Sequence, residues 1–145
     1  MKKKIVIAVS WIAVAVCMGI IFFLSAQDGT ESSGTSSWLL ELLKLPVSEA
    51  FLRNAAHFLE FTGLAVLIFN ALYHTAGNKK PFISFIITSI YAATDEFHQL
   101  FVEGRACTLS DWLTDSLGAA SGVIAISILF YIFSCIKGGK QIDRK

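Results

Sequence analysis

The sequence lacks the features typical of disulfide-rich proteins, of repeat proteins and of enzymes with a serine nucleophile. Its three cysteines are too few and too scattered for a disulfide framework or a zinc signature. No segment repeats with a period of about 20–50 residues, so a repeat architecture is not indicated. No Gly-x-Ser-x-Gly stretch is present, and a covalent mechanism is therefore not expected. The basic residues do not form a nucleic-acid-binding patch, and we predict no nucleic-acid partner.

Long apolar runs dominate what is present. The chain is 54% hydrophobic, with a mean hydropathy of +0.63. Four apolar blocks are each long enough to cross a ~30 Å hydrocarbon core, which takes ~20 helical residues. They lie at about residues 5–24, 52–74, 81–102 and 112–136. Little chain lies outside them. The sequence therefore predicts one all-α integral membrane domain over residues 1–145, with four transmembrane helices.

The distribution of positive charge predicts the orientation of these helices. Nine of the twelve basic residues lie before the first block, between the second and third, or after the fourth: Lys2, Lys3, Lys4, Lys79, Lys80, Lys137, Lys140, Arg144 and Lys145. The positive-inside rule then places both termini in the cytoplasm. A cleaved signal peptide is the alternative for the first block, but its apolar run of about 20 residues exceeds the ~7–15 typical of signal peptides. We expect a retained helix.

Local signals predict how the connections are built. The stretch "WLLELLKLP", residues 38–46, predicts a short helix lying along the outer interface, with Trp38 at headgroup level and Pro46 at its end. Ser48 is a candidate cap for the second block. Gly77-Asn78 predicts the turn into the third block, which Pro81 opens. Thr108-x-x-Asp111 fits a capping box for the fourth block.

Ionisable side chains from three blocks fall at the same outer level of the predicted membrane. The second block carries Arg53, His57 and Glu60 at positions i, i+4 and i+7 on one helical face. The third block carries Asp95, Glu96 and His98 together with the polar amide of Gln99, and Glu96 lies about 100° from Asp95 around the helix. The fourth block and the loop before it carry Arg105, Asp111 and Asp115.

Two further features of this cluster follow from the sequence. Gly118 and Gly122 continue the helical stripe of Asp111 and Asp115, which predicts close approach of a neighbouring backbone. The carboxylates outnumber the arginines and histidines around them. Because unpaired charge is costly in a membrane, we expect either a protonated carboxyl group or a bound cation in the cluster.

Three stretches carry a resemblance to a known family: "RNAAHFLEFTGLA" (53–65), "DEFHQLFVEGR" (95–105) and "LSDWLTDSLGAASG" (109–122). Together with "FFLSAQ" (22–27), they resemble the VanZ-like membrane proteins, named after a glycopeptide-resistance protein linked to teicoplanin resistance. The resemblance implies a small multi-pass protein of the bacterial cytoplasmic membrane. Two positions depart from the family pattern: Asn54, where a lysine is common, and Asp115, where an asparagine is common.

We interpret the cluster as a site that binds or acts on a cell-envelope molecule, such as a lipid-linked precursor or a lipid headgroup. Arg53 and Arg105 are candidates to hold phosphate or carboxylate. The other substrate-binding candidates are Gln99, Asp111 and Asp115. The catalytic candidates are His57 and His98 as general base or acid, with Glu60, Asp95 and Glu96 as orienting partners. Membrane lipids and envelope proteins are the expected partners, and the sequence leaves the cofactor unknown.

Three alternatives stay open at this point. A metal-assisted site would use His57, Glu60 and residues of the third block, although the spacing matches no strong metal motif. A proton-coupled transporter would need a polar path, yet the inner halves of the blocks lack ionisable groups. A structural helper would use the polar cluster only to hold its helices together and to pack against envelope proteins.

Overall fold

The computed structural model describes residues 1–27, 34, 37, 38, 40–42, 44, 46–105 and 107–142, with side chains described up to residue 136. Within these residues there is no strand, which confirms the predicted all-α class. Four long helices follow one another: α1 (Lys2–Ser25), α2 (Glu49–Ala76), α3 (Pro81–Gln99) and α4 (Leu109–Ile142). Each corresponds to one of the predicted apolar blocks.

The helix boundaries follow the predicted capping signals. Ser48 Oγ accepts a hydrogen bond of 3.2 Å from Phe51 N at the start of α2. Gly77 ends α2 with a left-handed φ of 72°, a conformation that glycine adopts without steric cost. Pro81 opens α3. At α4, Thr108 Oγ1 accepts from Asp111 N at 3.1 Å, which is one half of the predicted capping box.

Some boundaries differ from the predicted blocks. The third helix ends at Gln99 and not at 102, because the chain turns from Leu100 to Gly104. The fourth continues to Ile142, beyond the predicted 136. Of the predicted interfacial segment, residues 38 and 40–42 are helical with Trp38 and Leu42 exposed, while Leu39 and Leu43 lie outside the described residues.

Helix α2 is the centre of the bundle and contacts each of the other three helices. Phe61, Leu64 and Ile68 on this helix are completely buried. They pack with Val14 and Ile21 of α1 and with Ala92 of α3. Within the described part of the chain α1 and α4 do not contact each other, so they lie on different sides of α2.

Several hydrogen bonds between helices run from a side chain to a backbone carbonyl. Ser84 Oγ donates to Ala65 O at 2.7 Å, and Tyr91 Oη donates to Met18 O at 2.7 Å. Trp112 Nε1 donates to Ser89 O at 3.1 Å. This last contact joins Trp112, in the first turn of α4, to α3. Its indole is half-buried and packs against the core.

The closest approach of two helices is between α2 and α4. A Cβ atom added to Gly118 would lie 2.3 Å from Phe58 O, and one added to Gly122 would lie 2.4 Å from Thr62 O. Thr62 Oγ1 lies 2.9 Å from Gly118 O across the same contact. The predicted close approach at the two glycines is therefore confirmed, and it brings the first turns of α4 against α2.

The distribution of polar residues in α3 is inverted relative to a soluble protein. Its buried residues are mostly polar, namely Ser84, Thr88, Ser89, Asp95, Glu96 and Gln99, with Ala92 among them. Its exposed residues include Phe82, Ile90 and Phe97. An exposed apolar face of this kind is compatible with hydrocarbon and not with water.

The described part of the chain contains three helices that are long and apolar enough to cross a membrane: Lys2–Ser25, Glu49–Ala76 and Leu109–Ile136. Helix α3 is not among them, because the polar residues between Thr94 and Gln99 lower its mean hydropathy. The three apolar helices indicate a membrane protein.

Candidate functional site

A cleft of about 370 Å³ lies between the N-terminal halves of α2 and α4 and the loop that precedes α4. Six of the predicted site residues line it: Arg53, His57, Glu96, Arg105, Asp111 and Asp115. The remaining wall is formed by Ala50, Asn54, Gly104, Thr108 and Thr114. The cleft therefore combines two guanidinium groups, one imidazole and three carboxyl groups.

The two arginines of the cleft have no carboxylate partner among the described residues. Among the residues that the structure describes, neither Arg53 nor Arg105 forms an ion pair. Arg105 Nε instead donates to the carbonyl oxygen of Gln27 at 3.4 Å, which ties the loop to the end of α1. Burial and the neighbouring charge of Arg53 lower the pKa of Arg105, but an arginine side chain stays protonated in proteins. Two cationic groups are thus available to an anionic ligand.

Glu96 joins α3 to the start of α4. Its Oε2 atom accepts a hydrogen bond of 3.1 Å from Thr108 N, directly before the first turn of α4. In a capping box this amide is bonded by the side chain at the third helical position, which here is Asp111. Because Glu96 accepts the hydrogen bond from Thr108 N in place of Asp111, the Asp111 carboxylate is left to face the cleft.

Asp115 is the most deeply placed carboxyl group on the cleft wall. The residue is 1% exposed, and neither carboxylate oxygen has a hydrogen-bond partner among the described residues. Asp111 lies one turn earlier on the same helix and is half-buried. A buried carboxyl group without a partner is unfavourable, so this position favours a ligand that donates hydrogen bonds.

His57 lines the cleft with Glu60 beside it. His57 Nδ1 lies 3.8 Å from Glu60 Oε2, which is too long for a hydrogen bond. The Nδ1 atom has no other partner in the described structure. Glu60 lies outside the cleft wall, so it is placed to influence His57 and not to touch a ligand there.

The other three predicted residues of α3, Asp95, His98 and Gln99, contact α1. Ser25 Oγ donates to Asp95 Oδ2 at 2.9 Å, and Gln99 Nε2 donates to Ser25 Oγ at 3.0 Å. His98 stacks on Phe22 with ring centroids 4.4 Å apart. The structure therefore divides the ten predicted residues into a cleft group, an α1–α3 contact group and Glu60.

Helix α1 supplies the residues that our sequence reasoning missed. Our sequence analysis assigned no site residue to the first block, but α1 brings Ser25 to Asp95 and is followed by Gln27 at Arg105. The available signal was the stretch "FFLSAQ", which ends an otherwise apolar run with polar side chains. Asn54, Thr108 and Thr114 of the cleft wall were not predicted as site residues either.

We found no arrangement of three or more His, Cys, Asp or Glu side chains suited to hold a metal ion in the part of the chain that is described. The carboxylates and histidines therefore do not converge on one point there.

Comparison with known proteins gives one positive result. A family model described as VanZ/LLP1 matches residues 10–131, which include all ten predicted site residues. No curated protein and no solved structure matches the chain.

Proposed function

The chain belongs to the VanZ/LLP1 family, and on that premise we propose that its cleft binds the phosphate-bearing headgroup of a cell-envelope lipid or lipid-linked precursor. The observation that carries this proposal is that Arg53 and Arg105 line one cleft and that neither forms an ion pair with a described residue. The planar guanidinium group bonds phosphate through two parallel N–H groups, and this contact is stronger where water is excluded.

An apolar groove beside the cleft supports a ligand that is anchored in the membrane. The groove is lined by Phe51, Ala55, Phe58 and Leu59 of α2 and shares Asn54 and Thr114 with the cleft. A hydrocarbon chain in this groove would continue directly from a headgroup in the cleft. A water-soluble phosphate would leave the groove without an occupant.

We propose that all four helices cross the bacterial cytoplasmic membrane, with both termini in the cytoplasm. With 19 residues, α3 is about 28 Å long, close to the thickness of the hydrocarbon core. Its exposed apolar face and the basic residues near Lys79 support the same arrangement. This orientation places the cleft at the outer leaflet.

The native cysteines provide a test of this orientation. Cys107 is exposed in the loop that borders the cleft, and Cys135 is exposed near the other end of α4. We expect a membrane-impermeant maleimide to label Cys107 in intact cells, using a variant with Cys17→Ser and Cys135→Ser. A matched variant that keeps only Cys135 should be labelled only after permeabilisation. The reverse pattern would contradict the proposed orientation.

Binding of a short-chain phospholipid to the purified full-length protein tests the proposed function itself. We expect Arg53→Gln and Arg105→Gln each to weaken binding of dioctanoyl phosphatidylglycerol by about tenfold, because each change removes a charge-assisted contact. Arg53→Lys should give an intermediate loss, since it keeps the charge without the planar fork. Isothermal titration in detergent measures the affinities.

Two controls accompany this titration. Lys80→Gln removes the same charge at the other end of the bundle, and its affinity should match the unchanged protein. Dioctanoyl glycerol, which has the same chains without phosphate, should bind more weakly than the phospholipid. Equal phospholipid binding by both arginine variants and the unchanged protein would refute the proposal.

A reaction on the bound molecule would use His57, because it is the described histidine that lines the cleft. His98 is stacked on Phe22 at the α1–α3 contact and does not reach the cleft wall. We therefore retain His57 as the candidate acid or base and assign Asp95 and Gln99 to holding α1 in place. A link to teicoplanin susceptibility is part of the same proposal, and a deletion strain would test it.

A further inference from the structure

We propose that Asp115 recognises a primary ammonium group on the same ligand, so that the cleft is selective for phosphates that carry an amine. This inference rests on the proposed function, because it takes the phosphate to be held by Arg53 and Arg105. The ligand class is an aminoalkyl phosphate, either as the headgroup of a lipid or as a free molecule.

The first observation is the isolation of the Asp115 carboxyl group. It is 1% exposed and lines the cleft, yet both oxygens lack a partner among the described residues. Two neighbouring polar groups do have partners: Glu96 Oε2 accepts from Thr108 N, and Thr108 Oγ1 accepts from Asp111 N. Because a buried carboxylate without a partner is costly, a ligand that donates to both oxygens would remove this cost on binding.

The second observation is that the cleft holds charges of both signs. The arginines come from α2 and from the loop, whereas Asp111 and Asp115 lie one turn apart on α4. The wall therefore carries both cationic and anionic groups. A purely anionic ligand would satisfy the arginines and leave the α4 carboxylates facing negative charge. A zwitterionic ligand complements both kinds of group.

The number of hydrogen-bond donors on the ligand group determines how well it can bond to the two oxygens of Asp115. A primary ammonium group has three N–H donors and a full charge, and can bond both oxygens of Asp115. A trimethylammonium group has the charge but no donor. A hydroxyl group has one donor and no charge, and so leaves the second oxygen without a partner. The geometry of Asp115 therefore favours the primary amine over both.

The test compares three dioctanoyl phospholipids that share the phosphate and the chains but differ in the terminal group: ethanolamine, choline and glycerol. We expect the unchanged full-length protein to bind phosphatidylethanolamine about tenfold more tightly than the other two. Asp115→Asn should bind phosphatidylethanolamine no more tightly than phosphatidylglycerol, while its affinity for phosphatidylglycerol does not fall. Glu103→Gln, a neutralised carboxylate exposed in the outer loop, should keep the full preference.

A thermal unfolding measurement shows whether a change in binding by Asp115→Asn comes from the lost carboxylate or from misfolding. Because the amide replaces a buried carboxyl group without partners, Asp115→Asn should unfold at a temperature no lower than the unchanged protein. A folded Asp115→Asn protein that keeps the ethanolamine preference would overturn the inference. Equal binding of all three lipids by the unchanged protein would also overturn it, but would leave phosphate recognition standing.

Two further outcomes separate this inference from the proposed function. If the unchanged protein binds none of the three phospholipids, the proposed function fails and the inference fails with it. Free O-phosphoethanolamine is titrated in parallel to identify the source of the ligand. If it binds as tightly as the lipid and Asp115→Asn abolishes this binding, the amine is recognised as we infer, and the membrane-anchored part of the proposed function is wrong.

Discussion

Adding one methyl group at Gly118 is expected to destabilise the protein by about 1–3 kcal/mol. A Cβ atom there would lie 2.3 Å from Phe58 O, and also 3.1 Å from the Phe58 carbonyl carbon. Both are backbone atoms, so no side-chain rotation can relieve the contact and the two helices must separate. In Gly118→Ala this cost opposes the gain of about 0.5–1 kcal/mol that alanine brings to a helix, and we expect the cost to be larger.

Gly63 provides the matched control for this substitution. It lies within α2, and a Cβ atom added there would meet nothing within 4 Å. Gly63→Ala should therefore be neutral or stabilising by at most about 1 kcal/mol in the same host. Unfolding by SDS titration, followed by the loss of helical circular dichroism, measures both variants. If Gly118→Ala is as stable as Gly63→Ala, the close contact of α2 and α4 is wrong.

The same substitution should also weaken ligand binding. Asp115 lies one turn before Gly118 on α4, while Arg53 and His57 lie on α2. Separation of the two helices at Gly118 would move the carboxyl group away from the arginine across the cleft. We expect a loss of phospholipid affinity in Gly118→Ala that Gly63→Ala does not share.

Ser25→Ala is expected to destabilise the protein by about 1–3 kcal/mol. The Ser25 hydroxyl group donates to Asp95 Oδ2 at 2.9 Å, and both residues are almost completely buried. The other oxygen of this carboxylate, Oδ1, has no partner in the described structure. After the substitution Asp95 keeps only the longer contact with Gln99, at 3.4 Å, which cannot compensate for the lost hydroxyl group.

A double-mutant cycle separates this hydrogen bond from other effects of the substitution. Ser25→Ala, Asp95→Asn and the double variant are compared by unfolding free energy, and we expect a coupling energy of at least about 0.5 kcal/mol. Ser121→Ala is the control, because its hydroxyl group is exposed and bonds only to Leu117 O of its own helix. Strictly additive effects of Ser25→Ala and Asp95→Asn would show that α1 is not held by this contact.

Helical periodicity was sufficient to predict that a neighbouring backbone approaches α4 closely at its two glycines. Gly118 and Gly122 share a face with Asp111 and Asp115, and a face that combines small residues with carboxylates has to turn away from lipid. The structure places both glycines against the backbone of α2. Residue spacing alone carries this information, because both features lie on one continuous helix.

The division of the polar residues between two locations could not be predicted in the same way. Periodicity gives the angle of about 100° between Asp95 and Glu96, but not which neighbouring helix each faces. That choice depends on how α1 and α4 are arranged around α3. Asp95 faces Ser25 of α1, whereas Glu96 reaches Thr108 N in the loop before α4. The path of this loop is a tertiary property that the local sequence does not contain.

The backbone carbonyls that accept hydrogen bonds between helices have an evolutionary consequence. Ser84, Tyr91 and Trp112 donate to the main-chain oxygens of Ala65, Met18 and Ser89. Every amino acid supplies such an oxygen, so drift at the accepting positions is limited by side-chain volume alone, while the donors must keep their functional groups. Sequences that descend from a common ancestor with this chain should therefore vary more at positions 18 and 65 than at positions 84 and 91.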